Sequence, residues 1–269
     1  MTRVAIVGVG LIGASFGLAL RKAGFSGEII GVSSERSVKA GVVKGAIDRG
    51  VSLEEAAARA DLIFLAQPIF GIIETLRRLD QMVNPDALVT DAGSTKRAIC
   101  AAAAEHLKGC AFLGGHPMAG KETRGANAAD ADLFRGRPWI LTSQPDRPAA
   151  RQFRDWIGRI GAREVLLDAA EHDRLVAWSS HLPQLASTAL ASVLHDQAPT
   201  ASLVAGPGLL DATRLGMSSF ELWSDILATN RDEIDRALDA LIGKLQSMRR
   251  NPEPDFEKGG DFARSLRRV

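Results

Sequence analysis

Gly8, Gly10 and Gly13 stand in G-x-G-x-x-G spacing within VAIVGVGLIGASFGLAL, directly after a run of strand type and at the head of a helical pattern. In that context the first glycine makes a tight turn, the second lets backbone approach a pyrophosphate, and the third lets the helix pack close to the strand. Gly8, Gly10, Leu11, Ile12 and Gly13 are therefore candidates to hold a dinucleotide on helix N-terminal amides. The plain alternative is a tight turn with no ligand. Further along, GVSSERS puts Ser33, Ser34 and Arg36 at the end of the second strand, where NAD-binding chains carry a carboxylate for the ribose 2′-hydroxyl. Two hydroxyls and a guanidinium suit a 2′-phosphate, so NADP is favoured. NAD is the alternative, served by Glu35, with Arg36 then a solvated residue at a helix start. Gln67 and Pro68, which follow the strand DLIFLA, are read as lining the same cofactor.

Ligands of open α/β sheets bind beyond the carboxyl ends of the strands, so the residues after each strand are the next candidates. His116 follows two glycines and precedes Pro117, which sets an imidazole on a stiff loop. An imidazole titrates near neutrality and can accept a hydroxyl proton as hydride leaves the same carbon. The competing reading is a histidine bonded within its own loop. Ser94, in DAGSTK, either bridges to that hydroxyl or caps the helix expected near Thr95. Pro183, inside the helical pattern HDRLVAWSSHLPQLAS, removes an amide donor and predicts a kink beside His181. Asp211 and Arg214 sit three apart in GPGLLDATRLG, with Trp223 nine residues later. Arg214 is either a carboxylate anchor, resting on Asp211 when no ligand is bound, or half of an ordinary surface ion pair.

These residues need a scaffold, and its pattern is visible. The strand runs RVAIVGV, EIIGV, DLIFLA, ALVTDA, AFLGG, PWILT and REVLL alternate with helical patterns through about residue 168. Ile69, Ile72, Ile73, Leu76 and Leu79 form one apolar helical stripe, expected to cover the sheet. Beyond residue 168 only helical patterns follow, including one long helix predicted over 219–248. The expected fold is α/β, an N-terminal Rossmann-type doubly wound, mostly parallel sheet over residues 1–168, with an all-helical domain over 169–269. A helical domain that small is marginal alone, so it is expected to pair with its copy in a homodimer. The polar tail after Asn251, with two prolines and two glycines, is expected to be loosely held.

Composition narrows the function classes. The chain has 269 residues, 46% hydrophobic and 24% charged, which is the range of a globular domain rather than a disordered or collagenous one. A net charge of +1 offers no basic excess for nucleic acid. Cys100 and Cys110 are too few for a disulfide framework and lack metal-ligand spacing, so no metal and a reducing, cytoplasmic setting are expected. The apolar run after Arg3 is broken by four glycines and has no cleavage site, so it is read as strand, turn and helix rather than a targeting segment. No run reaches the ~18 residues of a membrane span.

Taken together, GVGLIGASFGLAL, DAGSTK, GGHPMAGKETRG, HDRLVAWSSHLP and LLDATRLGMSSFELW, in this order, resemble the prephenate and arogenate dehydrogenase family from the first strand to about residue 248. The resemblance implies NAD(P)-dependent oxidative decarboxylation of a cyclohexadienol to a phenol. By matching motif, His116 resembles the catalytic histidine that hydrogen-bonds the ring C4 hydroxyl, Ser94 the serine that supports it, and Arg214 the carboxylate-binding arginine. Glu122 and Asp211 match acidic positions at the mouth of the site, Trp223 a tryptophan packed close by, and His181 the first histidine of an HLPH motif. Gln184 replaces that motif's second histidine, at a position that bears on whether the side chain is the ketoacid of prephenate or the amino acid of arogenate. Arg124 either supplies positive charge there or is a solvated loop residue. No regulatory domain is expected after the long helix. Two rivals stand beside this reading. A β-hydroxyacid dehydrogenase would need a catalytic lysine in the helical half, where Lys244 and Lys258 lie far from any motif. A nucleotide-sensing protein would bind cofactor without turnover.

Overall fold

The computed structural model describes residues 1–121 and 123–267, and its contacts divide the chain into two compact units. Unit 1 comprises Met1–Leu175 and Ser218–Thr229, and unit 2 comprises Val176–Met217 and Asn230–Val269.

Unit 1 is built on six parallel strands: β1 (Arg3–Val7), β2 (Glu28–Val32), β3 (Arg49–Gly50), β4 (Leu62–Leu65), β5 (Leu88–Asp91) and β6 (Ala111–Leu113). Their order is β3-β2-β1-β4-β5-β6, so the chain reverses direction across the sheet between β1 and β4. Beyond Arg3, β1 is apolar and buried, and so is the whole of β4, because both faces are covered. The covering helices are α1 (Leu11–Lys22), α2 (Glu35–Val43), α3 (Leu53–Arg59), α4 (Ile69–Leu79) and α5 (Arg97–His106). The α4 stripe behaves as its spacing predicts: Ile72, Leu76 and Leu79 are fully buried and Ile69 nearly so. Each such side chain contributes about 1.5–3 kcal/mol of burial. On the other face an aromatic cluster fills the core, with Phe16 4.3 Å from Phe64 and 5.8 Å from Trp139, ring centre to ring centre.

The run AFLGG does not form one strand. It parts at Gly114: β6 pairs with β5, while β7 (Gly115–Pro117) joins a second sheet, antiparallel to β8 (Pro138–Leu141), which lies parallel to β9 (Arg163–Leu166). The expected single sheet is thus two. The cause is steric and polar at once, because a Cβ at Gly114 would lie 2.6 Å from the Thr142 hydroxyl and the Thr142 amide donates to the Gly114 carbonyl. Helix α6 (Pro148–Arg159) and helix α7 (Ala169–Val176) follow.

Unit 2 contains a π turn (Ala177–His181), α8 (Leu182–Gln197), a 3-10 turn (Pro199–Val204), α9 (Pro207–Thr213) and a second 3-10 turn (Arg214–Met217). The predicted kink takes the form of that π turn: the Leu182 amide reaches back to the Ala177 carbonyl, and Pro183 has no amide to restore the α register. The helix predicted over 219–248 is broken at Asn230 into α10 (Phe220–Thr229), which packs on α4 within unit 1, and α11 (Arg231–Met248) in unit 2. The tail also departs from expectation, since α12 spans Glu253–Leu266. Pro254 and the acidic residues Glu253 and Asp255 suit a first helical turn, and Asp255 pairs with Lys244 of α11 at 2.8 Å.

Candidate functional site

The reversal between β1 and β4 is where folds of this kind bind ligands. Gly8 leaves β1 at φ +98°, and a Cβ there would lie 2.6 Å from the Ala66 carbonyl oxygen. A Cβ on Gly13 would come within 2.1 Å of the Gly8 carbonyl oxygen, so any larger residue would push α1 off the strand. Gly10 differs: nothing lies within 4 Å of where its Cβ would stand, and it begins α1 with no side-chain cap. The first turn of α1 holds no acidic residue. An uncapped helix start with open space at Gly10, flanked by half-buried Leu11 and Ile12, fits a pyrophosphate.

At the tip of β2, Ser33, Ser34 and Arg36 are all exposed. Ser34 caps α2, its hydroxyl accepting from the Ser37 amide at 3.4 Å and donating to the Ser37 hydroxyl at 3.1 Å. Ser33 and Arg36 form no hydrogen bond or ion pair among the described residues. After β4, half-buried Gln67 accepts from the Thr75 hydroxyl at 2.9 Å, and exposed Pro68 caps α4.

The histidine loop is held from two sides. Asp91, at the end of β5, and Lys96 are completely buried and form an ion pair. The other Asp91 oxygen accepts the Gly115 amide at 3.0 Å, and the Lys96 ammonium donates to the Gly115 carbonyl at 2.7 Å. The residue before His116 is therefore gripped at both its backbone groups. A side chain at Gly115 would collide with the Asp91 carbonyl oxygen, 2.7 Å from its Cβ. From the other side, His116 Nδ1 lies 2.8 Å from Nε2 of His172, whose Nδ1 lies 2.8 Å from Oδ1 of Asp173. His172 and Asp173 are fully buried on α7. Asp173 also accepts the amides of Lys96 and Arg97, at 2.6 and 2.9 Å, and Arg97 Nε at 3.3 Å. Burial alone would push this carboxyl up, but the bonds from His172 and the two amides outweigh it and hold it below the ordinary range.

Ser94 does not cap α5. That helix starts at Arg97 with Lys96 before it and no side-chain cap, and the half-buried Ser94 hydroxyl has no partner among the described residues. Thr95 instead bonds Thr229 at 2.7 Å, which fastens the end of α10 to this loop. Trp223, on α10, is half-buried against the apolar cluster that includes Ile72 and Ile226.

Unit 2 carries the remaining candidates. His181 ends the π turn, 1% exposed, its Nδ1 3.3 Å from the Asn230 amide nitrogen. Gln184 directs its amide to the Leu215 carbonyl at 2.7 Å and the Thr188 hydroxyl at 3.1 Å, so it pins the turn that carries Arg214. Asp211 and Arg214 are exposed at the end of α9 and the start of that turn. Glu122 lies outside the described residues. Asp91, Lys96, His172 and Asp173 were not singled out by sequence reasoning. The available signal was charge and imidazole inside the motifs DAGSTK and HDRLVAWSSHLP, where an ordinary surface would not need them. Among the described residues no cluster of His, Cys, Asp and Glu could hold a metal ion, and no helix is long and apolar enough to cross a membrane.

Residues 16–166 match the family model described as "Prephenate dehydrogenase, nucleotide-binding domain", and residues 168–266 match "Prephenate dehydrogenase, dimerization domain". A prephenate dehydrogenase of Lactococcus lactis subsp. cremoris is 34% identical over 236 residues, 86% of this chain. The chain spans 65% of that relative's length. The crystal structure of Synechocystis arogenate dehydrogenase superposes with a TM-score of 0.81 at 30% identity, covering 99% of this chain and 100% of that one. A structure of prephenate dehydrogenase from A. aeolicus, in complex with hydroxyphenyl propionate and NAD+, gives 0.84 at 27% identity, covering 99% and 96%.

Proposed function

We propose, from the premise that this chain belongs to the prephenate dehydrogenase family, that it converts prephenate to 4-hydroxyphenylpyruvate by oxidative decarboxylation. The observation that carries the reading is His116, raised on a gripped backbone with one ring nitrogen already held by His172. Gly8, Gly10, Leu11, Ile12 and Gly13 would hold the pyrophosphate of a nicotinamide cofactor, which when bound would supply the acceptor for the hydride that leaves the hydroxyl-bearing ring carbon. As that carbon gains positive character its hydroxyl proton becomes acidic, and His116 shares it. Loss of the ring carboxylate as CO2 leaves its bonding electron pair in the ring, and the proton returns to the oxygen of the resulting phenol. Ser94, whose hydroxyl is otherwise unengaged, bridges to the same oxygen. Arg214 takes a substrate carboxylate, with Gln184 holding its turn in place and His181, Asp211 and Trp223 completing the substrate contacts.

We infer NADP as the preferred cofactor. Ser33 and Arg36 are unengaged at the tip of β2 and no carboxylate occupies the tip itself, while Ser34 is committed to its cap. Arogenate is the second reading, supported by the likeness to the Synechocystis enzyme, while Gln184, which can donate and accept, suits either side chain. The β-hydroxyacid alternative would need a catalytic lysine in the helical half, where Lys244 and Lys258 lie far from any motif. We infer a homodimer formed through unit 2, from the apolar side chains that unit leaves exposed and the family description of that region, in the reducing cytoplasm that two unpaired cysteines suit. The test is a spectrophotometric assay crossing prephenate and arogenate with NADP and NAD. Reduced cofactor formed fastest with prephenate and NADP is expected; exclusive use of NAD would reverse the cofactor assignment, and no activity with either substrate would end the proposal.

A further inference from the structure

The assignment of His116 as a base leaves open which of its two nitrogens does the work. We propose that Asp173 and His172 form a relay that fixes the His116 proton on Nδ1 and so makes Nε2 the basic nitrogen, with His172 acting as a positioning residue. This deepens the reading of His116 as the base and rests on it.

Three donors that can only give a proton lie within hydrogen-bond distance of the Asp173 carboxylate, the amides of Lys96 and Arg97 and the Arg97 guanidinium, and Nδ1 of His172 lies 2.8 Å from Oδ1. A carboxylate accepts all of them, whereas a protonated acid would turn one oxygen into a donor facing donors. His172 Nδ1 therefore carries a hydrogen. A neutral imidazole has one donor and one acceptor, so His172 Nε2 accepts. A second proton on His172 would add a buried charge where none is needed, since Asp173 is already matched by Arg97 and Asp91 by Lys96. With His172 Nε2 as acceptor at 2.8 Å, the contact from His116 Nδ1 has to be a donated N–H. The lone pair of His116 then sits on Nε2.

Two consequences follow for the reaction. The isolated imidazole prefers its hydrogen on the other nitrogen, so without the relay most of the enzyme would present a donor where a base is required. When His116 shares the substrate's proton, its Nδ1–H keeps donating to His172, and the buried carboxylate behind it stabilises the developing imidazolium without any proton leaving the pair. The complete burial of His172 and Asp173 keeps water from competing for either bond.

The test is nitrogen NMR on the full-length protein labelled with 15N-histidine, which has five histidines to assign. The two-bond correlations should give His116 a protonated Nδ1 and an unprotonated Nε2. In His172→Leu the tautomer should revert to Nε2–H, and kcat should fall about a hundredfold or more with cofactor affinity unchanged. His172→Gln, whose amide can donate to Asp173 and accept from His116, should restore the Nδ1–H tautomer and most of kcat. An unprotonated Nδ1 on His116 in the wild-type spectrum would overturn the relay, as would a tautomer unmoved by His172→Leu. These outcomes are separate from the base assignment itself, which fails only if His116 can be replaced without loss of turnover.

Discussion

In unit 1 the rings of Trp139, Phe16, Phe64 and Phe153 are fully buried, whereas in unit 2 Leu203, Val204, Met217, Phe256 and Phe262 are 65% to 86% exposed. Among the described residues the fully buried ion pairs lie in unit 1. Unit 1 encloses Asp91, Lys96, His172 and Asp173 with almost no solvent access, each with partners inside that unit. The ion pairs of unit 2, such as Arg231 with Asp235 and Lys244 with Asp255, lie at its surface, where pairs contribute little. A group that must hold a reacting atom to a fraction of an ångström needs a closed core beneath it. A surface that is to be covered by a second copy needs its apolar side chains left outward.

The contrast can be broken at a fully buried pair. Lys96→Met removes the cation from a fully buried pair and leaves the Asp91 carboxylate without it, which should cost about 3–5 kcal/mol of unit 1 stability. Urea unfolding followed by tryptophan fluorescence measures this. A loss below about 1 kcal/mol would mean that the pair is as dispensable as the surface pairs of unit 2. Less costly to the fold, but decisive for the other half, is a charge in the exposed apolar face. Phe256→Glu with Phe262→Glu should weaken self-association by about 2 kcal/mol or more, roughly thirtyfold in Kd, and leave unit 1 intact. Sedimentation at graded concentration reads the change. A wild-type chain that stays monomeric at all of them would remove the explanation for that exposed face.

What was legible in the sequence was local. The glycine turn and the α4 stripe are set by spacing within a dozen residues, and both stand in the structure where spacing puts them. The break at Asn230 was hidden because Ile226, Leu227 and Ile234 continue a helical repeat across it, although the first two belong to α10 and the third to α11. The α12 helix is obscured by Gly259 and Gly260, whose composition suggests a loose tail, although Phe262 and Leu266 stand four residues apart, at helical spacing. The split of AFLGG depends on Thr142, nearly thirty residues away in sequence, and no pattern within the run announces it. The same holds at the site. His116 could be picked out by its two glycines and its proline, but its partner His172 lies 56 residues on, and Asp173 grips the amide of a lysine 77 residues back. Periodicity reports which face a residue takes, not which distant group it will meet.

The central claim, that the buried network of unit 1 exists to present His116 as a base, is tested most directly by the kinetics of His116→Asn. With cofactor affinity measured separately by fluorescence titration, kcat should fall by about 10²–10⁴ while that affinity stays at the wild-type value. A variant that turns over within about twofold of wild type would contradict the account, whatever the integrity of its fold.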